Sequence, residues 1–249
     1  MLQSFIKGKL RVKSDEDEKE SLPQEKLRVV TNEDTKTSSV IGEMLHLPAD
    51  LFWTLLRRAT AFHEPLPESA GEIRFFEFWP QWSAEGKDIS NTDHVEPDVF
   101  IRFCNFDLIL EAKKTDNCET QGPIQWSNEI CAYLNEYAEE HRKLYLIALG
   151  GNMDLHSSSL NEEGRAKGHT VYKCSWMSLL EKVHEQLHML KQLPFQDSHT
   201  AQTIRILDDV ESSFNQHGDR IMEWLRDTPK ELIKLNKNNL NIIADIWKI

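Results

Sequence analysis

The segment from Glu96 to Lys114, EPDVFIRFCNFDLILEAKK, constrains the fold more than any other part of the chain. Its alternating side chains predict a β-hairpin with the turn at Cys104–Asn105, in which each residue faces the one whose number adds with its own to 209. One face of this hairpin is then wholly apolar. On that face the pairs are Val99 with Leu110, Ile101 with Leu108, and Phe103 with Phe106.

The opposite face of the hairpin contains an electrostatic anomaly. Its pairs are Glu96 with Lys113, Asp98 with Glu111, Phe100 with Ile109, and Arg102 with Asp107. Three of these pairs are favourable, because opposite charges or apolar groups face each other. Asp98 and Glu111, however, repel each other at cross-strand distance unless a cation lies between them. A hard divalent metal is the usual cation for such a site, and Lys113 lies on the same face two residues beyond Glu111.

The composition predicts a cytoplasmic protein with one good core, or one core and a small appendage. The chain has 249 residues, of which 39% are hydrophobic. No stretch approaches the roughly 20 apolar residues of a membrane span, and the N-terminus lacks the apolar region of a secretory signal. Four widely separated cysteines without CxxC spacing indicate reduced thiols. They are Cys104, Cys118, Cys131 and Cys174.

The net charge of −12 repels nucleic acid on average. A protein that binds DNA tightly by itself usually has a basic patch. Either basic residues are concentrated around one cleft or a partner supplies the affinity, and we favour the partner.

The periodicity of the chain predicts a coarse order of helix, strand, hairpin, helix and strand, with helical additions. Residues 1–36 read as a flexible or partner-binding arm with a short strand at Leu27–Val30. The expected elements after the arm are a helix capped by Ser38 or Ser39, a second helix capped by Asp50, a strand over 72–79, the hairpin, a helix over 123–141, a strand over 143–149, a strand over 169–173, a helix over 176–193 and further helix near the C-terminus.

Pro97-Asp98, twelve intervening residues, and Glu111-Ala112-Lys113 at the end of an apolar strand resemble the PD-(D/E)xK nuclease superfamily, the restriction-endonuclease-like enzymes. The resemblance covers residues 38–150. It implies an α/β fold with an αβββαβ core, in which helices flank a mixed central sheet. Residues 37–195 would then form the nuclease domain and residues 196–249 a C-terminal helical extension.

The resemblance also implies roles for individual residues. Asp98 and Glu111 would be metal ligands together with the carbonyl oxygen of Ala112, and Lys113 would position or deprotonate the attacking water. Glu43 corresponds to the acidic residue on the first helix, with Glu77 as a rival. The remaining assignments are Gln125, which corresponds to the polar residue on the helix after the motif, and Lys114, which would touch phosphate.

The expected reaction is hydrolysis of DNA phosphodiester bonds with Mg²⁺ or Mn²⁺. Two carboxylates suffice for Mg²⁺, which keeps several of its waters, and a lysine beside them can hold the nucleophile. The family's habits suggest a subunit of an anti-phage defence or restriction system, with DNA repair as the second context. Expected partners are DNA, protein subunits that load or select it, and a second copy of the chain. The choice between DNA and RNA stays open.

Two other functions compete. His184-Glu185-Gln186-Leu187-His188 matches HExxH, the zinc-protease signature, with Glu211 in range of a third ligand. Alternatively, both histidines are solvated positions on an amphipathic helix. A catalytically inactive nuclease fold that acts as an interaction module is the other alternative, although Asp98, Glu111 and Lys113 are all present.

Overall fold

The computed structural model describes Lys7, Lys9 and residues 12–13, 28–29, 31–86, 89–90, 93–160 and 164–221. Much of the expected arm and the second half of the expected C-terminal extension lie outside these residues. None of the helices described is long and apolar enough to cross a membrane.

The described helices form before, between and after the strands of the sheet. Their bounds are α1 Glu33–Met44, α2 Ala49–Ala59, α3 Pro123–Tyr137, α4 Trp176–Lys191 and α5 Ser198–Gln216, with a short 3₁₀ helix at Ala138–Glu140. The described strands are β1 Val12–Lys13, β2 Arg28–Val29, β3 Ile73–Phe78, β4 Trp82–Ser83, β5 His94–Val95, β6 Val99–Phe103, β7 Asp107–Ala112, β8 Leu144–Leu149, β9 Ser158–Ser159 and β10 Thr170–Cys174.

A mixed six-stranded sheet in the order β3-β6-β7-β8-β10-β9 forms the centre of the fold. β3, β6 and β7 are antiparallel neighbours, whereas β8 runs parallel to β7, because α3 makes the crossover between them. The order α1, β3, β6, β7, α3, β8 confirms the predicted αβββαβ core. The expected short strand in the N-terminal segment is confirmed at β2, which pairs with β1.

The hairpin has the predicted register along its described pairs. Val99 is opposite Leu110 and Arg102 is opposite Asp107. Both faces are covered, as expected for a sheet flanked by helices. The apolar face packs against α1, α2, α4 and α5, and Phe100 and Ile109 on the opposite face pack under α3. Helices therefore flank the sheet on both sides.

Two of the predicted charge pairs have different outcomes. The Arg102–Asp107 pair is confirmed, with Arg102 Nη2 3.0 Å from Asp107 Oδ2. The Glu96–Lys113 pair is wrong. Glu96 instead contacts Lys9, while Lys113 turns toward Glu111. Lys113 lies one residue beyond β7, where the chain has left the strand and its side chain no longer follows the sheet alternation.

The cap of the first helix lies six or seven residues before the expected position at Ser38 or Ser39. Asn32 is the N-cap, and its Oδ1 accepts a hydrogen bond from the amide of Thr35 at 2.8 Å. The hydroxyl of Thr35 accepts in return from the amide of Asn32 at 2.9 Å. This reciprocal capping box satisfies two helix-end donors and explains the earlier start. It also places Glu33 in the first turn.

α5 returns to pack against α1, and both helices contribute to the same core as the apolar face of the hairpin. The buried Lys36 of α1 lies 2.7 Å from a carboxylate oxygen of Asp219, just after α5, and donates to the carbonyl of Lys114 at 2.9 Å. The C-terminal helix and the first helix are thus joined behind the end of β7.

Candidate active site

The carboxylate of Asp98 is held at the start of β6 by two donors. The indole nitrogen of Trp79 donates to its Oδ1 at 3.0 Å, and the amide of Ala112 donates to its Oδ2 at 2.8 Å. The second of these bonds crosses the hairpin to the residue after Glu111. The side chain is only 6% exposed, so the residues packed around it restrict its orientation.

Glu111 lies opposite Asp98 at the end of β7, as the hairpin register predicted. Its Oε1 accepts a hydrogen bond from Lys113 Nζ at 2.7 Å, and its Oε2 lies 3.4 Å from the amide of Asp98. Lys113 Nζ also reaches the carbonyl of Ala112 at 3.2 Å. The structure therefore brings together Asp98, Glu111, Ala112 and Lys113.

The end of β7 is held in place by close backbone contacts. The Lys113 amide donates to the carbonyl of Leu149 at 2.8 Å, and the Trp176 indole donates to the Lys113 carbonyl at 2.6 Å. A Cβ on Gly150 would lie 2.6 Å from that carbonyl oxygen, and Gly150 also has φ +69°. Glycine at this position lets β8 pass against the site without displacing Lys113.

The site holds more buried negative charge than positive charge. Burial, and then the nearby Glu111, raises the pKa of Asp98 well above its usual value. Burial also raises the pKa of Glu111, although Lys113 opposes the shift. Burial would lower the pKa of Lys113, but the charge and hydrogen bond of Glu111 outweigh it and raise that pKa. Lys113 is thus held as an ammonium ion.

Gln125 reaches the site from the first turns of α3, where its side-chain amide donates to Glu111 Oε1. Gln121, which the sequence reasoning missed, contacts the backbone of Glu111. Its amide nitrogen donates to the carbonyls of Glu111 at 3.0 Å and Gly150 at 2.8 Å. The side chain of Lys114 points away from Glu111, because its Nζ donates to the carbonyl of Thr31 at 2.9 Å.

The acidic residue that reaches the site from α1 is Glu33. Its Oε1 lies 3.4 Å from Lys113 Nζ, and its Oε2 accepts from the amide of Lys114 at 3.0 Å. Glu43, the predicted residue, is ten positions further along α1, which separates the two by about 15 Å of helix rise. Glu77, the rival, pairs with Lys7 at 2.9 Å on the edge strand β3.

Glu129 on α3 is the second acidic residue that the sequence reasoning missed. It is 2% exposed and lies against Glu111. Burial, and then the charge of Glu111, raises the pKa of its carboxyl well above the usual value. A signal for it existed, because Glu129 follows Gln125 by four residues and so shares its helix face. For Glu33 the sequence signal was Asn32, because asparagine is favoured as an N-cap and Glu33 then lies in the first helical turn.

The donor set fits a hard divalent cation. Three buried carboxyl groups meet one ammonium group, and Oε2 of Glu129 has no hydrogen-bond donor among the described residues. No three His, Cys, Asp or Glu side chains in the described ranges gather as a closed metal-chelating group. Mg²⁺ does not need such a group, because it commonly takes one or two carboxylates and keeps its own waters.

The HExxH residues have partners of a different kind. His184 Nδ1 lies 3.0 Å from Glu211 Oε1, and Glu185 pairs with Lys182 at 2.7 Å. His188 contacts the side chain of Gln192, one turn further along. Since the described residues contain no chelating cluster, the arrangement gives no support to a zinc site.

Comparisons with known proteins add little about activity. No protein-family model matches the chain. An uncharacterised protein of Pasteurella multocida (strain Pm70) is 26% identical over 209 residues, which cover 78% of this chain and 73% of that protein. The small subunit of the heterodimeric restriction endonuclease R.BspD6I is 14% identical over 66% of this chain and 97% of that chain, with a TM-score of 0.26. A TM-score this low carries no argument about this chain.

Proposed function

We propose that the chain is a metal-dependent nuclease that hydrolyses DNA phosphodiester bonds. The observation that carries the proposal is the pairing of two buried carboxylates, Asp98 and Glu111, with an ammonium group from Lys113 at the end of the central hairpin. This arrangement matches the chemistry that the PD-(D/E)xK resemblance implies. We assign Mg²⁺ or Mn²⁺ as the cofactor.

Asp98, Glu111 and the carbonyl oxygen of Ala112 would hold the cation. Such an ion, when bound, supplies positive charge for the phosphate oxygens and lowers the pKa of a coordinated water. The backbone amide of Ala112 and the Trp79 indole keep Asp98 in place for this role. Gln125 orients Glu111 through its side-chain amide.

Lys113 would supply a positive charge beside the two carboxylates. Held as an ammonium ion, it can donate a hydrogen bond to the attacking water or to a phosphate oxygen as charge develops there. Glu33 is a second carboxylate that supports Lys113, since it contacts both the Lys113 ammonium group and the next backbone amide.

We further propose that the chain acts as one subunit of a restriction or anti-phage defence system. The support for a partner is the net charge of −12, because a chain of that charge gains little affinity from the phosphate backbone. The system is the context that the family resemblance implies.

The experiment that tests the proposal is a nuclease assay on supercoiled and linear DNA, and on RNA, with Mg²⁺ or Mn²⁺. Wild type is compared with Lys113→Ala, and Lys182→Ala serves as the control, since Lys182 pairs with Glu185 on the surface of α4. We expect cleavage by wild type and Lys182→Ala, a loss of at least about 100-fold in Lys113→Ala, and no cleavage in EDTA.

The result that would overturn the proposal is a wild-type chain that cleaves no nucleic acid with either cation, alone or with the proteins that copurify with it from its host. Equal cleavage by wild type and Lys113→Ala would show that any activity comes from a different site or a contaminant.

A further inference from the structure

Glu129 is a buried carboxyl group that the proposed mechanism does not use. It lies on α3 one turn after Gln125, and the two side chains approach Glu111 from the same helix face. A glutamate at a 2% exposed position requires an explanation, because a buried carboxylate without a compensating charge is strongly unfavourable.

The protein itself supplies little compensation for this third carboxyl. Lys113 is the cation that acts on Glu129, but its ammonium group is already bound to Glu111 and lies near Glu33. Oε2 of Glu129 is buried and, within the described ranges, receives no hydrogen bond. Glu129 shares a side-chain hydrogen bond with Glu111, so Oε2 is the one oxygen of this carboxyl group that lacks a partner among the described residues.

A purely structural role accounts poorly for the identity of this residue. If the side chain served only to orient Glu111, an amide would do so without burying charge, as Gln125 and Gln121 do in the same site. Only the carboxylate adds negative charge beside Glu111, and that charge is useful when a cation is present.

Glu129 also has a route to solvent. It lines a cavity of about 610 Å³ between α3 and the segment around β5. Gln125 and Asn128 of α3 line the same cavity, together with Glu96 and Glu119 on its walls. A hydrated cation can therefore reach Glu129 through this cavity.

We propose that Glu129 contacts the divalent cation on the cavity side of Glu111 through one of the ion's own waters. The contact is water-mediated because the acidic side chains of the described residues do not gather closely enough for three of them to chelate one ion. This inference rests on the proposed nuclease function, and it adds a residue from α3 to those of the hairpin.

The test is Mn²⁺ binding by titration calorimetry, together with thermal unfolding with and without Mn²⁺. The variants are Glu129→Gln, Glu111→Gln and the control Glu119→Gln, which removes an exposed carboxylate from the same cavity wall. We expect Glu129→Gln to weaken Mn²⁺ binding by about 10- to 100-fold. Glu119→Gln should bind as wild type does. Mn²⁺ should raise the unfolding temperature of wild type more than that of Glu129→Gln, because the variant binds the ion less tightly.

Each outcome separates the two proposals. Wild-type Mn²⁺ affinity in Glu129→Gln, with a rise in unfolding temperature on adding Mn²⁺ equal to that of wild type, would overturn the inference, while loss of binding in Glu111→Gln would leave the nuclease proposal standing. Absence of binding by wild type, together with absence of cleavage, would overturn the nuclease proposal itself. If Glu129→Gln fails to fold, Glu129→Asp keeps the charge on a shorter side chain; an affinity between wild type and Glu111→Gln supports the inference, and wild-type affinity contradicts it.

Discussion

At the scale of single residues, the site depends on where each charge finds its partner. Lys113 has two carboxylate partners, and Glu111 is the nearer, at 2.7 Å against 3.4 Å for Glu33. The second partner comes from the first turn of α1. Glu33 therefore restricts the ammonium group to the site, whereas Glu43 lies far along the same helix.

Replacing Glu33 tests this assignment. We expect Glu33→Gln to lower the rate of DNA cleavage by about 10- to 100-fold, because Lys113 loses a contact that orients it and small misplacements have effects of this size. Glu43→Gln is the matched variant on α1 and should stay within about twofold of wild type. The measurement is the single-turnover cleavage rate. A larger loss in Glu43→Gln than in Glu33→Gln would contradict the assignment. The thermal stability of Glu33→Gln should change by about 1 kcal/mol or less, because the Glu33 side chain is 34% exposed and a glutamine can still accept from the Lys114 amide.

At the scale of elements, the N-terminus of α1 is part of the site. The capping box of Asn32 and Thr35 sets the residue at which the helix begins. The helix start in turn sets the direction from which Glu33 approaches Lys113. We therefore expect this cap to affect the cleavage rate as well as the stability of the protein.

Removing that cap should affect both properties. We expect Asn32→Ala to lower the free energy of unfolding by about 1 kcal/mol, the usual value of an N-cap, and also to slow cleavage. Asp197→Ala is the matched control, because Asp197 caps α5 with a 2.7 Å bond to the Thr200 amide, in another element. It should cost about the same stability and leave the cleavage rate unchanged. Urea unfolding measures the free energy of unfolding, and the DNA cleavage assay measures the cleavage rate. Equal cleavage rates in the two variants would show that the cap of α1 has no functional part.

At the scale of the whole molecule, the net negative charge disfavours DNA binding, whereas the proposed site requires DNA to approach. The net charge of −12 disfavours approach to DNA, and the buried carboxylates add to it at the site where the phosphate must lie. A cation removes the conflict locally, but it does not supply affinity along the duplex. The proposed cleavage site therefore gains no help from the net charge in holding DNA.

DNA binding by the isolated chain should consequently be weak. We expect fluorescence anisotropy with a labelled duplex, the Lys113→Ala variant and Mg²⁺ to show micromolar or weaker binding at physiological salt. The plot of log K against log salt concentration should have a slope no steeper than about −3, because few phosphates are neutralised by Lys or Arg. Nanomolar binding with a steep slope would mean that basic residues are concentrated on one face, and the reason for a loading partner would disappear.

The sequence by itself determined the hairpin, its register and the central carboxylate pair. Period-2 alternation depends only on the geometry of a strand, so the pairing of Val99 with Leu110 could be read from residue order. The family resemblance implied a site role for Gln125, whose side chain contacts Glu111, and a mixed sheet, in which β8 is parallel to β7. Each of these features depends on residues that are close in sequence or joined by one crossover.

The tertiary structure alone decided which distant charges complete the site. Glu33 meets Lys113 across 80 residues, and Glu129 reaches Glu111 only because α3 packs against one face of the sheet. The partner of Glu96 likewise changed from Lys113 to Lys9, since a side chain beyond the end of a strand is no longer governed by the sheet alternation. Residue order specifies the faces of helices and strands, but only packing determines which faces meet. The hairpin was therefore readable from sequence, whereas the contacts that Glu33 and Glu129 make with it were decided by packing.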